Sequence, residues 1–425
     1  MLAVAVVLSA VAGASELRHT AIVRAVARAR PSIVNIHGQK AVVDEQYGGS
    51  STRQVNGMGT GIVLDERGYI LTNYHVINGV RIIQVTTCEK KTYIARLVSY
   101  DAKTDLAVIK IDAKESLPVI ATGTSSDLMT GEPVIAVGNA YGYEHTVTRG
   151  IVSALGRTVQ VSDTHRYDDL IQTDASINPG NSGGPLLNID GEMIGLNVAV
   201  RAGAQGIGFA IPVDNTMAVA AKLLSSERVQ NTWHGVVVEF AGSISPQGIV
   251  VSAIDRESPA ARSGLKPGDV IKTVDNQQVV RAIDLERAML GRRAGDRIEV
   301  AVERENEAMT VQLVLASISS RAAPAEDEIW TSLGLELEPV PAREFARQNS
   351  RYQGGLKVRA VRANGPAARQ GVRTGDILVG MHGWATTSLD DVRYVLGHKD
   401  RASFSPVKFY ILRDGSTLYG HLPLD

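Results

Sequence analysis

One cysteine stands in 425 residues, so no intrachain disulfide can form and no cysteine-rich zinc site can be assembled. That residue, Cys88, trails the alternating run Ile82 to Thr87 and reads as a half-buried bystander, not a nucleophile. Aromatic residues are scarce at 5%, so the cores must be built from Val, Ile, Leu and Ala. An excess of charge is also missing. The formal net charge is −1, which gives no bulk attraction to nucleic acid or to an anionic membrane. Long apolar runs are absent too. The longest candidate, Leu2 to Ala14, has about 13 residues, short of the roughly 20 that a spanning helix needs. It ends in Ala12-Gly13-Ala14 before Ser15, so residues 1–14 read as a secretory signal, although no Lys or Arg precedes the apolar run. The expected location is periplasmic or otherwise exported.

What is present is an ordinary globular balance, 44% hydrophobic and 21% charged, in a chain long enough for several domains. Leu17 to Arg30 has helical spacing, Pro31 ends it, and Ser32 to Ile36 begins a strand. His37 to Asn56 reads as a loop. Gly57-Met58-Gly59-Thr60-Gly61 has the wrong spacing for a dinucleotide fingerprint and opens a strand instead. From there to Pro212, short Val/Ile/Leu runs alternate with Gly/Asn/Asp turns, the pattern of a β-barrel or sandwich. Val213 to Leu224 reads as a helix capped by Asp214 or Asn215.

The chemistry concentrates between Leu170 and Leu187, where Gly180, Asn181, Ser182, Gly183, Gly184 and Pro185 follow one another. Glycine tolerates the positive φ angles that bring several backbone N–H groups to one point, and a serine there would sit beside those donors. Alone, the motif is equally a glycine-rich turn between strands. Two further stretches change its meaning: Leu71-Thr72-Asn73-Tyr74-His75-Val76, and Lys103-Thr104-Asp105-Leu106-Ala107-Val108. The chain order His, Asp, Ser is that of chymotrypsin-like double barrels.

These motifs resemble the HtrA/DegP family of trypsin-fold serine proteases, and the similarity continues through Thr148 to Ala154 and Gly206 to Pro212. The resemblance implies a mainly β fold, a chymotrypsin-like double β-barrel over residues 17–224. It implies a triad of Ser182, His75 and Asp105, and an oxyanion hole from the N–H groups of Gly180, Asn181 and Ser182. The His37–Asn56 segment would be the activation loop of the family, in a short version. Ser176 and Ile177, with Asn197 and Val198, would line the S1 pocket. No carboxylate sits at Ser176, so small or medium apolar P1 side chains are expected, and Asp174 reads as structural.

After a polar linker at residues 225–231, an internal repeat appears. Ser258-Pro259-Ala260-Ala261-Arg262 through Gly268-Asp269 recurs as Gly365-Pro366-Ala367-Ala368-Arg369 through Gly375-Asp376. Both copies resemble the central region of PDZ domains (α+β), at residues 232–317 and 330–425, separated by a Pro/Ala/acid linker at 318–329. Each follows an apolar stretch expected as one strand, Trp233 to Val238 and Ser332 to Leu337. PDZ domains take peptide C-termini by strand addition, which assigns that role to His234, Gly235 and Val236 and to Leu333, Gly334 and Leu335. His234 is expected as an exposed loop histidine. The remaining histidines have no ligand spacing, so no metal and no cofactor are expected.

The sequence reading is an ATP-independent serine endopeptidase acting on unfolded or damaged polypeptides, with a homotrimer as the smallest assembly implied by the resemblance. Two alternatives stay open: a catalytically silent chaperone or PDZ scaffold, and a sensor protease with one specific substrate.

Overall fold

The computed structural model describes residues 16–43, 52–138, 146–162, 165–198, 206–238, 244–318, 328–341, 345, 352, 354–398 and 405–423. The expected signal segment and residues 319–327 of the second linker lie outside them. The first helix, α1 (Ala21–Ala29), starts at Thr20, whose hydroxyl accepts the Val23 N–H at 3.3 Å. It buries Ala25 and Ala29 and ends where Pro31 removes the next donor.

Six antiparallel strands then close a barrel: β1 (Ile33–Val43), β2 (Thr52–Asp65), β3 (Tyr69–Asn73), β4 (Val80–Thr86), β5 (Thr92–Asp101) and β6 (Leu106–Lys110). A single helical turn, α2 (Tyr74–Ile77), follows β3. The second barrel comprises β7 (Pro133–Gly138), β8 (Thr146–Ser162), β9 (His165–Thr173), β10 (Pro185–Leu187), β11 (Met193–Val198) and β12 (Gly208–Pro212). The two barrels share one arrangement, with strand orders β1-β2-β3-β6-β5-β4 and β10-β11-β12-β9-β8-β7.

Side chains alternate across a strand, and here both faces are covered. Ala107 and Ile109 of β6 point into the first barrel's core, while Leu106 and Val108 pack in the seam between barrels. Val134 and Ala136 of β7 fill the second barrel, and Ile135 and Val137 meet the same seam. This explains the near-continuous apolar runs in the sequence.

The segment expected as a loop at 37–56 is mostly sheet. The β1–β2 ladder continues as far as Val43 opposite Thr52, because backbone pairing does not depend on the Gly/Gln-rich composition that suggested a loop. Residues 44–51 lie outside the described set.

Helix α3 (Val213–Leu223) closes the two-barrel unit, but its expected side-chain cap is absent: Pro212 occupies the N-cap position. Asp214 instead turns outward from the helix, and its Oδ2 accepts the Ser125 and Ser126 N–H groups at 3.0 and 3.1 Å. The expected linker 225–231 is also helical, as α4 (Ser226–Gln230), ending at Asn231 in the left-handed region. Its anchors are polar and invisible to pattern reading: Ser226 N–H donates to Glu286 Oε2 at 3.0 Å and Ser226 Oγ to the Thr232 carbonyl at 3.0 Å.

The first repeat unit pairs β13 (Thr232–Trp233) with β20 (Ala316–Ser317) at its two ends. Between them lie β14 (Val236–Val238), β15 (Ile249–Ile254), α5 (Pro259–Ser263), β16 (Val270–Val274), β17 (Gln277–Gln278), α6 (Ala282–Met289), β18 (Arg297–Arg304) and β19 (Glu307–Val314). Their sheet runs β14-β15-β16-β18-β19, with β17 on β16. Trp233 to Val238 is therefore two strands, broken at Gly235, whose φ of 75° no strand carries.

The second unit contains α7 (Glu328–Leu333), β21 (Leu335–Pro339), β22 (Leu356–Val361), α8 (Pro366–Arg369), β23 (Ile377–Met381), β24 (Trp384–Ala385), α9 (Leu389–Leu396), β25 (Val407–Arg413) and β26 (Ser416–Leu422). Its order, β21-β22-β23-β25-β26 with β24 on β23, repeats that of the first unit. The repeated Gly-Asp pair has one job in both. Asp269 accepts from the Lys266 amide and from Arg304 Nε and Nη2 at 2.6 and 2.8 Å. Asp376 accepts likewise from the Arg373 amide and from Arg413 Nε and Nη2, both at 2.7 Å. A bidentate arginine thus clamps the turn to the last hairpin of each unit.

Candidate active site

The seam between the barrels brings the motif residues together. Asn73 ends β3, and α2 immediately presents His75. Asp105 precedes β6 in the left-handed region, φ 57°, a conformation aspartate tolerates better than most residues. Its backbone is fixed by two donors to its carbonyl, the Tyr74 N–H at 2.9 Å and Asn73 Nδ2 at 3.1 Å. Its carboxylate then meets His75 twice: Oδ1 accepts the His75 backbone N–H at 2.8 Å, and Oδ2 lies 2.6 Å from His75 Nδ1. The Asp105 side chain is 5% exposed while that of His75 is 44% exposed, so the imidazole has one buried, anchored edge and one edge toward solvent.

A third partner was not foreseen from the sequence. Tyr167, on β9 of the second barrel, donates its hydroxyl to Asp105 Oδ2 at 2.8 Å. Burial, with the Asp105 charge beside it, pushes the Tyr167 phenol far above its ordinary value, so it remains a donor. Tyr167 lies in an ordinary-looking polar stretch, His165 to Asp169, and no local signal marks it.

The Gly180–Pro185 loop presses against the residues leading into His75. A Cβ on Gly183, which has φ 81°, would come within 2.2 Å of the Thr60 carbonyl oxygen and 3.1 Å of the Asn73 nitrogen. Only glycine fits there. The loop's carbonyls are then held by Thr60 from outside and by the loop's own Gly184. Thr60 N–H and Oγ1 donate to the Ser182 and Gly180 carbonyls at 2.9 and 2.7 Å, and Gly184 N–H to the Asn181 carbonyl at 3.0 Å. Orienting the Asn181 carbonyl toward Gly184 fixes the peptide that carries the Ser182 N–H. Ser182 itself is 3% exposed. Of the three N–H groups expected to converge, that of Asn181 donates to the Asn178 carbonyl at 2.9 Å. It is spent on the loop's own turn, which leaves Gly180 and Ser182 as the pair to consider.

The pocket residues separate into two groups. Ser176 is exposed, and its carbonyl accepts from Thr148 Oγ1 at 2.9 Å. Ile177 is half-buried against Gly208, where an added Cβ would lie 3.0 Å from Ile177 Cδ1. Asn197 and Val198 instead face the core. Val198 belongs to the seam cluster, and Asn197 Nδ2 donates to the Pro185 carbonyl at 2.9 Å. Successive side chains of β11 point to opposite faces, and both faces are covered, so both residues are buried. Asp174 accepts the Ile151 N–H at 2.7 Å, a structural bond.

In the first repeat unit His234 is buried, not exposed. Its Nδ1 accepts the Val236 N–H at 3.0 Å, and its Nε2 lies 3.4 Å from Glu286 Oε1 on α6. The ring is drawn inward because both its nitrogens find partners there. A cavity of about 1120 Å³ opens beside this loop, lined by Gly235, Val236 and Leu285 and walled by Lys103 and Asp391. In the second unit, Leu333 ends α7 instead of opening a strand, and Gly334 turns the chain at φ 72°. Leu333 and Leu335 are both buried in that unit's core.

Comparison with known proteins adds three findings. A trypsin-like peptidase domain matches residues 59–196, and a PDZ domain matches residues 215–315. A protein of Halomonas elongata named probable periplasmic serine endoprotease DegP-like is 38% identical over 383 residues, 86% of this chain and 79% of that protein. One of the same name from Pseudomonas fluorescens is 36% identical over 361 residues, covering 80% and 74%. Among solved structures, an HtrA-type protease, AlgW with decapeptide, is 35% identical, covers 71% of this chain and 99% of its own, and has a TM-score of 0.42.

Proposed function

Since the chain belongs to the HtrA/DegP family of serine endoproteases, we propose that Ser182 is its nucleophile, His75 its general base and Asp105 the residue that orients the imidazole. The observation that carries this is the two-point grip of Asp105 on His75, through Nδ1 at 2.6 Å and the backbone N–H at 2.8 Å. With Nδ1–H donating to the carboxylate, Nε2 is the nitrogen that accepts a proton. It takes the Ser182 hydroxyl proton as Oγ attacks the scissile carbonyl. Asp105 stabilises the imidazolium that forms. The negative charge on the tetrahedral carbonyl oxygen falls to the Gly180 and Ser182 N–H groups. The imidazolium then protonates the leaving amine, and a water activated by the same Nε2 hydrolyses the acyl-enzyme.

Ile177 and Gly208 form the S1 floor in this reading, which suits Ala, Val or Ile at P1. The substrates are unfolded or damaged polypeptides, whose extended chains present such side chains. Both repeat units are PDZ domains, and the first is the peptide-binding one, through Gly235 and Val236. The relatives' names support a periplasmic location. The assembly follows the family as a homotrimer or higher oligomer.

The test is a fluorophosphonate label, which reacts only with an activated serine. It should mark the wild-type protein and not Ser182→Ala. The Ala variant should fail to cleave unfolded casein while keeping its far-UV spectrum. Labelling of Ser182→Ala, or continued cleavage by it, would remove Ser182 from the role.

A further inference from the structure

We propose that Tyr167 is a positioning residue for hydrolysis: its phenol, delivered from the second barrel, holds the Asp105 carboxylate in the plane that His75 needs and limits the basicity passed on to the imidazole. The proposal rests on reading His75 as the general base.

Asp105 Oδ2 carries two donors, His75 Nδ1 at 2.6 Å and Tyr167 Oη at 2.8 Å, and Oδ1 carries the His75 backbone N–H at 2.8 Å. An aspartate can rotate about its Cβ–Cγ bond, and the sp³–sp² torsion is soft. Two of these three contacts come from His75, which α2 can carry along with it. The phenol is different because β9 is anchored in the second barrel through Leu170 and Ile171, both 1% exposed. Tyr167 is 8% exposed and its ring joins the seam cluster with Leu106 and Val108. The contact therefore sets the carboxylate against the barrel that carries Ser182.

The phenol also has an electronic effect. A donor to a carboxylate draws on its negative charge, so less remains to stabilise a proton on the imidazole. Removing it moves the acid limb of kcat/KM to higher pH. Other charged groups face the same region. Asp101 at the end of β5 accepts the Lys103 N–H, Asp168 beside Tyr167 pairs with Arg166, and Tyr74 stacks on Tyr100. Lys103, two residues from Asp105, is desolvated to a pKa of about 8, so it titrates on the alkaline side. None of these changes when one hydroxyl is removed, and the acid limb is the clean readout.

The experiment compares wild type, Tyr167→Phe, Asp105→Asn and the double variant, using kcat/KM of a peptide substrate from pH 5 to 9. Tyr167→Phe should lower kcat/KM by about tenfold to a hundredfold, the scale of a small misplacement of a reacting group, with KM little changed. Its acid limb should rise by about half a pH unit or more. In the Asp105→Asn background the same substitution should have almost no further effect, because both act on one group. An unchanged acid limb, or effects that multiply in the double variant, would overturn the proposal and make Tyr167 a packing residue. Should Tyr167→Phe not fold, 3-fluorotyrosine at 167 keeps the shape with a more acidic phenol and should lower the acid limb; no movement overturns the proposal equally. Fluorophosphonate labelling of each variant separates the cases. A labelled Tyr167→Phe protein with a wild-type pH profile defeats this inference alone, whereas a wild-type protein that never labels defeats the triad beneath it.

Discussion

Arg281 Nη2 lies 3.3 Å from Asp214 Oδ1, and the two side chains are only 5% and 10% exposed. Arg281 precedes α6 of the first repeat unit, and Asp214 stands in the first turn of the helix that closes the two-barrel unit. The two partners are not equally satisfied. Asp214 Oδ2 also receives Thr124 Oγ1 and the Ser125 and Ser126 N–H groups at 3.0 to 3.1 Å. Arg281 reaches the Gly123 carbonyl besides Asp214, but its Nε and Nη1 have no hydrogen-bond partner among the described residues. Burial accordingly lowers the Arg281 pKa.

This imbalance sets the order of two substitutions. Asp214→Ala strands a buried guanidinium and should destabilise the protein by about 3–5 kcal/mol. Arg281→Met leaves the carboxylate with its other donors and replaces an under-satisfied cation by an apolar chain, so it should change stability by about 1 kcal/mol or less. Urea unfolding followed by tryptophan fluorescence measures both. Equal losses, or the reverse order, would show that the pair is not the unit that matters.

A second tie is acid-sensitive. Asp65, 2% exposed, accepts Arg67 Nε at 2.6 Å and Arg287 Nε at 3.2 Å, and Arg67 goes on to the Leu290 and Arg287 carbonyls at 2.6 Å. Burial raises the Asp65 pKa, but the Arg67 hydrogen bonds and charge outweigh it and the net shift is downward from 3.8. A depressed carboxylate stabilises the fold fully above its unfolded pKa and loses that contribution as pH falls through the lower folded value. Arg67→Met should therefore raise the midpoint of acid-induced loss of near-UV circular dichroism. Identical midpoints would remove Asp65 from the acid response.

The S1 assignment predicts a change of substrate preference. Ile177→Ala empties the space against Gly208, and kcat/KM should shift toward Leu or Phe over Val at P1 by roughly tenfold or more, as one or two methylenes of pocket volume allow. Gly208→Ala adds a methyl 3.0 Å from Ile177 Cδ1 and 2.9 Å from the Ala175 carbonyl, so it should confine P1 to Ala. A peptide library varied at P1 reads both. An unchanged ranking in Ile177→Ala would place the pocket elsewhere.

The legible parts of the molecule are those whose cause is local. Thr72-Asn73-Tyr74-His75, Thr104-Asp105 and Gly180 to Pro185 each carry their turn chemistry in their own residues, and the repeat around Asp269 and Asp376 marks itself by recurrence. The illegible parts are set by distant partners. Tyr167 matters because Asp105 comes to it across the seam. The helix α4 exists because Glu286, sixty residues on, accepts its Ser226 N–H. Asn197 and Val198 look like pocket residues beside the nucleophile loop, but β11 is covered on both faces and both are buried. His234, on a glycine loop, has the composition of an exposed residue, and only Glu286 and the Val236 amide explain its burial.

That burial predicts that peptide binding at the proposed groove depends on pH. For Nδ1 to accept the Val236 N–H at 3.0 Å, the ring must be neutral with its proton on Nε2, toward Glu286 Oε1 at 3.4 Å. Burial disfavours the imidazolium, but the Glu286 carboxylate opposes it more strongly, and the His234 pKa is raised above 6.5. A raised pKa means that the pair's stabilising contribution is fully present at low pH and is lost as pH rises through the folded value. Protonation at Nδ1 turns an acceptor into a donor, so the Val236 N–H loses its partner. That amide belongs to the loop proposed to hold a peptide carboxylate, and the new imidazolium stands beside it. A C-terminal peptide should then bind about tenfold more tightly at pH 5.5 than at pH 8.5, the scale of one charge-assisted hydrogen bond. The measurement is fluorescence anisotropy of an apolar-ended peptide on Ser182→Ala protein, which binds without cutting. His234→Leu should flatten the dependence. If the Leu variant keeps the full wild-type slope, His234 is not the titrating group and the amide of Val236 is not the switch.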